Sequence, residues 1–470
     1  MVETLAEPTR VYRWLVLVFV SLAMFGNYYV YDSISPLADL LASQLNFSNS
    51  NIGTLNAIYS VPNIFMVLLG GLIIDRIGTR KSTLIFSILC LIGAVVTTIS
   101  SEFIIMAAGR LIFGLGAESL IVAVTTVLAK WFKGKELSFA FGVNLTIARL
   151  GTFTALNSPT WAKSFYSNWQ EPLFIAVIAA LVSVVSVMIY ALMDVNASRK
   201  YRLGHKEDID KIEVREVFKF NTSFWFITLL CVTFYSAVFP FQTFAVKFFI
   251  EQHFSTIPDD FARSMGGFLS SLLILSAMIL TPLFGLLADK IGKRALLMMI
   301  GSILMMPVYL ILVYVQVDPQ IPPSLLDRVV ANSESGSFGD GIIYFGQMLA
   351  ILFRYYPNLV FPMGILGLSF SLIPAVMWPS VAYIIDEKRL GTAYGLMTMI
   401  QNIGLAGFNF LIGSVNDFSG GYKAGMWIFS GLGILGFVFA LLLRKQETGP
   451  AGHGLELGMA DRQSTISAAN

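Results

Sequence analysis

Charge is scarce in this chain. Asp, Glu, Lys and Arg make up 13% of its 470 residues, about half the share in soluble proteins. Hydrophobic residues reach 56%, and the mean hydropathy is +0.73. Histidine is rarer still. His205, His253 and His453 fall in polar connections or the tail, which argues against an intramembrane histidine relay and a histidine metal site. Cys90 and Cys231 sit singly in apolar blocks without a CxxC partner, so they read as small buried hydrophobes. No Walker loop and no Rossmann fingerprint occurs, so an ATP-driven pump and a nucleotide-dependent enzyme have no support. No catalytic role and no cofactor are expected. A net charge of +2 gives no sign of a nucleic-acid partner.

What is present is long apolar blocks. They run unbroken for about twenty residues, the length a helix needs to cross the hydrocarbon core. Barrel strands would alternate over about ten. A backbone in lipid must satisfy its own hydrogen bonds, and continuous blocks do so as helices. Blocks start near Trp14, Ile52, Thr83, Phe103, Leu137, Pro172, Ser223, Met265, Ala295, Leu359, Leu390 and Gly425. The fold expected is an all-α membrane protein with twelve transmembrane helices in two six-helix bundles. The first block follows Arg10 and Arg13 and leads into further spans, so it reads as retained rather than as a cleaved signal peptide.

Lysine and arginine set the orientation. With the N-terminus in the cytoplasm, inner connections hold Arg76, Arg80 and Lys81, then Lys130, Lys133 and Lys135. Seven more lie between Arg199 and Lys219, followed by Lys290, Lys293 and Arg294, then Lys388 and Arg389. Arg444 and Lys445 close the last span. Outer connections hold Lys163, Arg263, Arg328, Arg354 and Lys423, with Lys247 near a span end. Both termini are therefore expected inside. Residues 1–195 form the first bundle, 196–222 a cytoplasmic linker and 223–445 the second bundle. An outer insertion spans 316–358, with Ile342 to Phe353 expected as an interfacial or re-entrant helix. The tail 446–470 is polar and expected to be disordered.

An internal repeat supports two related halves. Gly71-Leu72-Ile73-Ile74-Asp75-Arg76-Ile77-Gly78-Thr79-Arg80 recurs as Gly285-Leu286-Leu287-Ala288-Asp289-Lys290-Ile291-Gly292-Lys293-Arg294. Each copy follows the second span of its half. The glycines let helices approach. Asp75 and Asp289 can accept bonds from a neighbouring helix N-terminus. Arg76, Arg80, Lys290 and Arg294 can latch a carboxylate across a gate. The repeat resembles the signature loop of the major facilitator superfamily. That resemblance implies two bundles around a central cavity that rock to give alternating access. Thr79 stands where the family has a basic residue, which implies a weaker ionic latch.

Four charges lie within or at the outer ends of apolar blocks: Asp32, Arg110, Glu118 and Arg149. Each costs about 2.5–3.5 kcal/mol at the bilayer centre unless paired, hydrated or functional. Arg110, in Gly109-Arg110-Leu111, either bonds to helix carbonyls or serves coupling. Glu118 is flanked by Gly116, Ala117 and Ser119, which suits a cavity wall. A buried structural pair is the alternative. Arg149 presents a planar fork for a carboxylate, or pairs with Glu118. An acid and a guanidinium together suit a zwitterion. Asp32 reads as an outer gate, a proton site or a solvated helix end.

Several runs narrow the resemblance. They include Lys130-Trp131-Phe132-Lys133-Gly134-Lys135-Glu136-Leu137, Ala148-Arg149-Leu150-Gly151, Ala237-Val238-Phe239-Pro240-Phe241, Trp378-Pro379 and Ile400-Gln401-Asn402-Ile403-Gly404. From about Trp14 to Arg444, outside the insertion, the chain resembles the lysosomal dipeptide uniporter family. The resemblance implies a dipeptide cavity with Glu118 and Arg149 on the backbone termini, and Tyr59, Phe239, Trp378 and Gln401 nearby. It implies a small zwitterionic solute as partner, in a lipid bilayer; the outer insertion has no counterpart in that family, so docking of the family's glycoprotein partner is not expected and no partner subunit is required. Glu3-Thr4-Leu5-Ala6-Glu7 lacks an acidic dileucine, which points to a bacterial cell membrane. The sequon Asn46-Phe47-Ser48 keeps a lysosomal location open. Two other functions remain: proton-coupled symport of organic anions or amino-acid-like solutes, and a non-transporting receptor.

Overall fold

The computed structural model describes residues 8–132, 136–201, 220–317, 321–334, 338–386, 389–450 and 452–457. Among these, twelve helices are long and apolar enough to cross a membrane. In the first half, α1 (Arg10–Asp32) passes through a 3-10 turn (Ser35–Leu37) into the short α2 (Ala38–Leu45). Then come α3 (Asn49–Ile77), α4 (Thr79–Thr98), α5 (Phe103–Phe132), α6 (Leu137–Leu156), the short α7 (Ser158–Trp161) and α8 (Gln170–Lys200). The second half holds α9 (Thr222–His253), α10 (Asp259–Ile291) and α11 (Arg294–Tyr314). The insertion helices α12 (Pro323–Glu334) and α13 (Phe338–Tyr355) precede α14 (Pro357–Ile384), α15 (Leu390–Ser419) and α16 (Lys423–Glu447).

Local chemistry starts these helices. Thr9 Oγ1 caps α1 by accepting from the Tyr12 amide, and Asn221 caps α9 by accepting from the Phe224 amide. Ser48 and Asn51 form a reciprocal capping box at α3. Helix α10 begins six residues ahead of Met265, the expected start of that span (259 against 265). Its first turns carry Asp259, Asp260 and Arg263, which hide the helix from a hydropathy reading.

Helices α1, α3, α4, α5, α6 and α8 pack as one bundle, and α9, α10, α11, α14, α15 and α16 as the other. The bundles meet along two seams, α3 on α15 and α6 on α10. An even number of spans brings both ends of the chain to one face, here called the terminal face. The opposite face is the distal face. On the distal side the seams are tight. A Cβ at Gly53 would overlap the Asn409 carbonyl oxygen, and one at Gly413 the Asn49 carbonyl oxygen, so only glycine allows this approach. Toward the terminal face, a Cβ at Gly71, Gly142, Gly285 or Gly391 would meet nothing within 4 Å. The seams are closed distally; nearer the terminal face a Cβ at Gly395 would meet the end of the Leu68 side chain at 2.7 Å rather than backbone.

Ion pairs explain the distal closure. Arg263 of α10 grips Asp39 of α2, with Nη2 and Nε donating to Oδ2 at 2.6 and 3.0 Å. Asp417 of α15 accepts from the amides of Asn49 and Ser50 at 2.8 and 2.7 Å, capping α3 from the other bundle. Lys247 donates to Asn49 Oδ1 at 2.7 Å. Arg263 and Lys247, read from the sequence as loop and span-end charges, are instead buried helix residues that tie the bundles together.

The insertion forms two helices. One face of α13 is buried, including Tyr344, Met348 and Ile351. Its Tyr344 and Phe345 rings meet Phe261 and Phe268 of α10 at 6.0 and 5.7 Å. Ile342, Ile343 and Phe353 are exposed. The tail differs from expectation near its start. Helix α16 runs to Glu447, and residues 452–457 fold back. The amides of Lys293 and Arg294 donate to the carbonyls of Glu456 and Leu455, at 3.3 and 3.2 Å. Apolar Leu455, wholly buried, anchors this strap. The expected linker begins later than its charge pattern suggests, because α8 continues to Lys200; Lys133, Lys135, residues 202–219, Lys388 and the tail beyond 457 lie outside the described residues.

Candidate functional site

Between the bundles, at mid-helix depth, aromatic rings connect the charged residues. Glu118 projects from the middle of α5 and is half-buried, with its carboxylate against the Tyr59 hydroxyl and near Tyr28. Arg149 projects from α6, also half-buried. Its Nη1 donates to Thr281 Oγ1 at 3.3 Å, and its guanidinium lies 6.0 Å from the Phe370 ring centre. Thr281 and Phe370 belong to the second bundle, so Arg149 reaches across the seam. Tyr28 lies near both Glu118 and Arg149. Among the described residues, Glu118 and Arg149 form no ion pair. The expectation that they pair with each other is not met in this conformation. Arg149 donates to the Thr281 hydroxyl, Glu118 lies beside the Tyr59 hydroxyl, and among the described residues neither has an ion-pair partner.

The remaining expected residues complete the wall. The Tyr59 ring packs on Tyr31 and Phe113 at 4.7 and 5.4 Å. Phe239 stacks on Tyr235 at 5.6 Å and meets Phe370 and Tyr31 edge-on at 6.1 and 6.3 Å. Trp378 Nε1 donates to the Tyr235 hydroxyl at 3.0 Å, and the Tyr394 hydroxyl donates to the Trp378 carbonyl at 3.1 Å. Gln401 lies beside them and accepts from the Cys231 thiol at 3.6 Å. Pro62 and Pro240 sit inside α3 and α9 next to this wall. Each removes a ladder hydrogen bond there and favours a bend.

Arg110 has a different geometry. At 1% exposure, it donates to the carbonyls of Val30 and Tyr31, both at 3.1 Å, and to Asn56 Oδ1 at 2.7 Å. The rings of Tyr31, Tyr59 and Phe113 surround it within 5.8 Å. Its donors are committed to the end of α1 and to Leu55 and Asn56 of α3, so it joins those two helices. Asp32 is 7% exposed and accepts from Thr152 Oγ1 at 2.6 Å. The reading as a solvated helix end fails, because the 3-10 turn and α2 fold over it.

The two signature loops behave alike in backbone and differently in side chains. Gly78 and Gly292 take positive φ, 83° and 63°, to turn one span into the next. Arg80 lies 3.6 Å from Asp194 of α8, which also binds Lys130 at 2.7 Å and the Trp131 indole at 3.3 Å. Arg294 pairs with Asp289 and lies 4.5 Å over the Tyr383 ring. These latches close within each bundle, not across the gate as expected. Asp75, Arg76, Asp289 and Lys290 are exposed at the terminal face.

Sequence reasoning missed Tyr28, Tyr235, Thr281, Phe370 and Asp194. Tyr28 stands in the polar-aromatic run Asn27–Tyr31, and Asp194 is a lone acid ending an apolar block, so both carried a signal. Tyr235 lies one turn before Phe239 and shares its face. Thr281 and Phe370 carried none.

Two helical bundles meeting at a polar, aromatic-lined seam midway through a membrane form the architecture of a solute carrier. Residues 20–331 match the Major Facilitator Superfamily model. The chain is 32% identical over 433 residues to the lysosomal dipeptide transporter MFSD1 of Danio rerio, covering 88% of this chain and 83% of that one. Against the lysosomal dipeptide transporter MFSD1 of Homo sapiens, identity is 30% over 430 residues with the same two coverages, 88% and 83%. The fold superposes on the nucleoside transporter NupG with a TM-score of 0.67, over 92% of this chain and 99% of that one, at 14% identity. The chain belongs to the Major Facilitator Superfamily, in the family of the MFSD1 lysosomal dipeptide transporters: it is an integral multi-pass membrane transporter and not an enzyme.

Proposed function

We propose that this protein carries dipeptides, or similar small zwitterions, across the membrane by alternating access. The observation that carries the reading is the separation of Glu118 and Arg149. Both are half-buried mid-span, both contact neutral hydroxyl groups, and Tyr28 lies near each. A solute with an ammonium at one end and a carboxylate at the other satisfies both. Arg149 offers a planar fork to the carboxylate. Tyr59, Phe239, Trp378 and Gln401 line the space left for side chains. The names of the 30%-identical relatives support the same solute class.

The exposed motif residues act as the terminal-face gate, and the lysine and arginine excess assigns that face to the cytoplasm. The test is thermal stabilisation of the purified protein by a panel of dipeptides, amino acids and organic acids. Dipeptides should raise the Tm, and Arg149→Ala and Glu118→Gln should each abolish the effect. Stabilisation that survives both substitutions refutes the site. Uptake into liposomes under an imposed pH gradient separates uniport from proton coupling through Asp32 or Glu118. Uniport leaves the uptake unchanged.

A further inference from the structure

The distal seam holds a small polar pocket that borders the solute wall at Phe239 and takes no part in the ion pairs. Asp32, Ser35 and Asn56 of the first bundle line it opposite Phe239, Gln242 and Thr243 of the second, and its volume is about 10 Å³. Gln242 is 3% exposed. Among the described residues, neither its side-chain nitrogen nor its side-chain oxygen has a hydrogen-bond partner. Buried amides are seldom left so. Around it the polar groups are satisfied across the seam. Ser35 Oγ donates to the Gln242 carbonyl at 2.6 Å, and Asn56 Nδ2 donates to Thr243 Oγ1 at 2.9 Å. Thr243 Oγ1 donates in turn to Asn409 Oδ1 at 2.9 Å.

We propose that this pocket is a binding site for one water molecule, which joins the bundles by accepting from the Gln242 amide and donating to Asp32. A space of about 10–15 Å³ is the smallest that holds one water, and the lining supplies the polar partners a buried water needs. A cation fits the same residues less well. Arg110 donates to Asn56 Oδ1 at 2.7 Å, so positive charge already stands at the rim and that oxygen is committed. A solute is excluded by size. The water acts as a latch. While the seam is shut it supplies Gln242 with an acceptor and Asp32 with a donor. When the seam opens, bulk solvent takes over both roles. The proposal does not depend on which solute is carried.

The test uses the full chain in lipid nanodiscs. A map at about 2 Å of the distally closed state should show one solvent peak within hydrogen-bonding reach of Gln242 Nε2 and Asp32. A dry pocket overturns the proposal. Gln242→Met keeps the side-chain length but not the amide, so the water loses its donor and Asp32 loses the water. The distally open population should then rise by about tenfold, equivalent to about 1.4 kcal/mol. Spin labels at Ser164→Cys and Gln252→Cys, both exposed on the distal face, read it as a longer interbundle distance. An unchanged or lowered open population in Gln242→Met overturns the latch even if the water is seen.

Discussion

Removing Arg263 should open the distal face. The residue is 3% exposed, and its guanidinium makes its main contacts across the seam, to Asp39 at 2.6 and 3.0 Å. A second pair joins Nη1 to Asp260 at 3.1 Å within α10. In Arg263→Met, closing the seam would bury Asp39 without its cation, whereas opening hydrates it. Breaking one side of a buried pair costs about 3–5 kcal/mol. The Asp39 side chain is 16% exposed, so water recovers part of that. A working value is about 2 kcal/mol, which moves the open-to-closed ratio about 30-fold. Spin-label distances between positions 164 and 252 should lengthen, and transport should slow because the carrier cannot close distally at the normal frequency. Adding Asp39→Asn should restore much of the closed population, since no lone carboxylate is then buried. A closed population unchanged in Arg263→Met, or no rescue by Asp39→Asn, would refute the assignment of this pair as a gate.

Further perturbations test other parts of the argument. Gly413→Ala places a methyl on the Asn49 carbonyl oxygen at the same seam and should also raise the open population; the spin-label readout checks it. Arg110→Lys cannot serve the carbonyls of Val30 and Tyr31 and Asn56 together, and should cost about 3 kcal/mol or more of stability, read as a lower Tm in detergent. Arg149→Lys should weaken dipeptide binding about 10-fold or more by losing the bidentate fork, with Tm in the absence of solute little changed. In the tail strap, burial raises the Glu456 carboxyl above its ordinary value, ahead of the opposing Ala295 amide and Arg444. The docked state therefore holds the proton more tightly than the free tail. Docking should be strongest at or below the ordinary glutamate range, about pH 4.3, and weaken as pH rises through the docked value. Rate-corrected amide exchange at Lys293 and Arg294 should follow that trend and lose it in Glu456→Gln.

Much of the architecture was legible because lipid imposes it. A continuous apolar block admits one solution, so the starts of α5, α6 and α15 fall where hydropathy put them. The repeat at Gly71 and Gly285 fixed the two-fold organisation. Legibility failed where charge served the protein interior instead of water. Arg263 and Lys247 look like loop and span-end residues, yet Arg263 pairs with Asp39 and Lys247 bonds to Asn49 across the seam, a fact no local pattern carries. Asp32 looks solvated until the 3-10 turn covers it. Within the site, Glu118 and Arg149 stood out because an ionisable group in an apolar block needs a reason. Thr281 and Phe370 did not, because a threonine or a phenylalanine in a span needs none. Their role comes only from the approach of α10 and α14 to α6.

The placement of ion pairs also says how the carrier moves. At the terminal face, among the described residues, two acids hold basic partners of their own bundle. Asp194 gathers Arg80 and Lys130 within the first bundle, and Asp289 holds Arg294 within the second, where the tail strap adds further bonds. At the distal face Arg263–Asp39 and the contacts of Asp417 and Lys247 with the start of α3 run between bundles, beside pairs within α9 and α10. Each bundle is thus internally braced at one end and bonded to its neighbour at the other, which favours rocking of two rigid bodies over bending within either. Arg149 sits where these regimes meet, anchored in α6 but bonded to Thr281 of α10. A carboxylate that draws Arg149 from Thr281 removes one bond between the bundles and supplies another through the solute. Solute binding is thereby able to change how the bundles are joined without breaking either bundle.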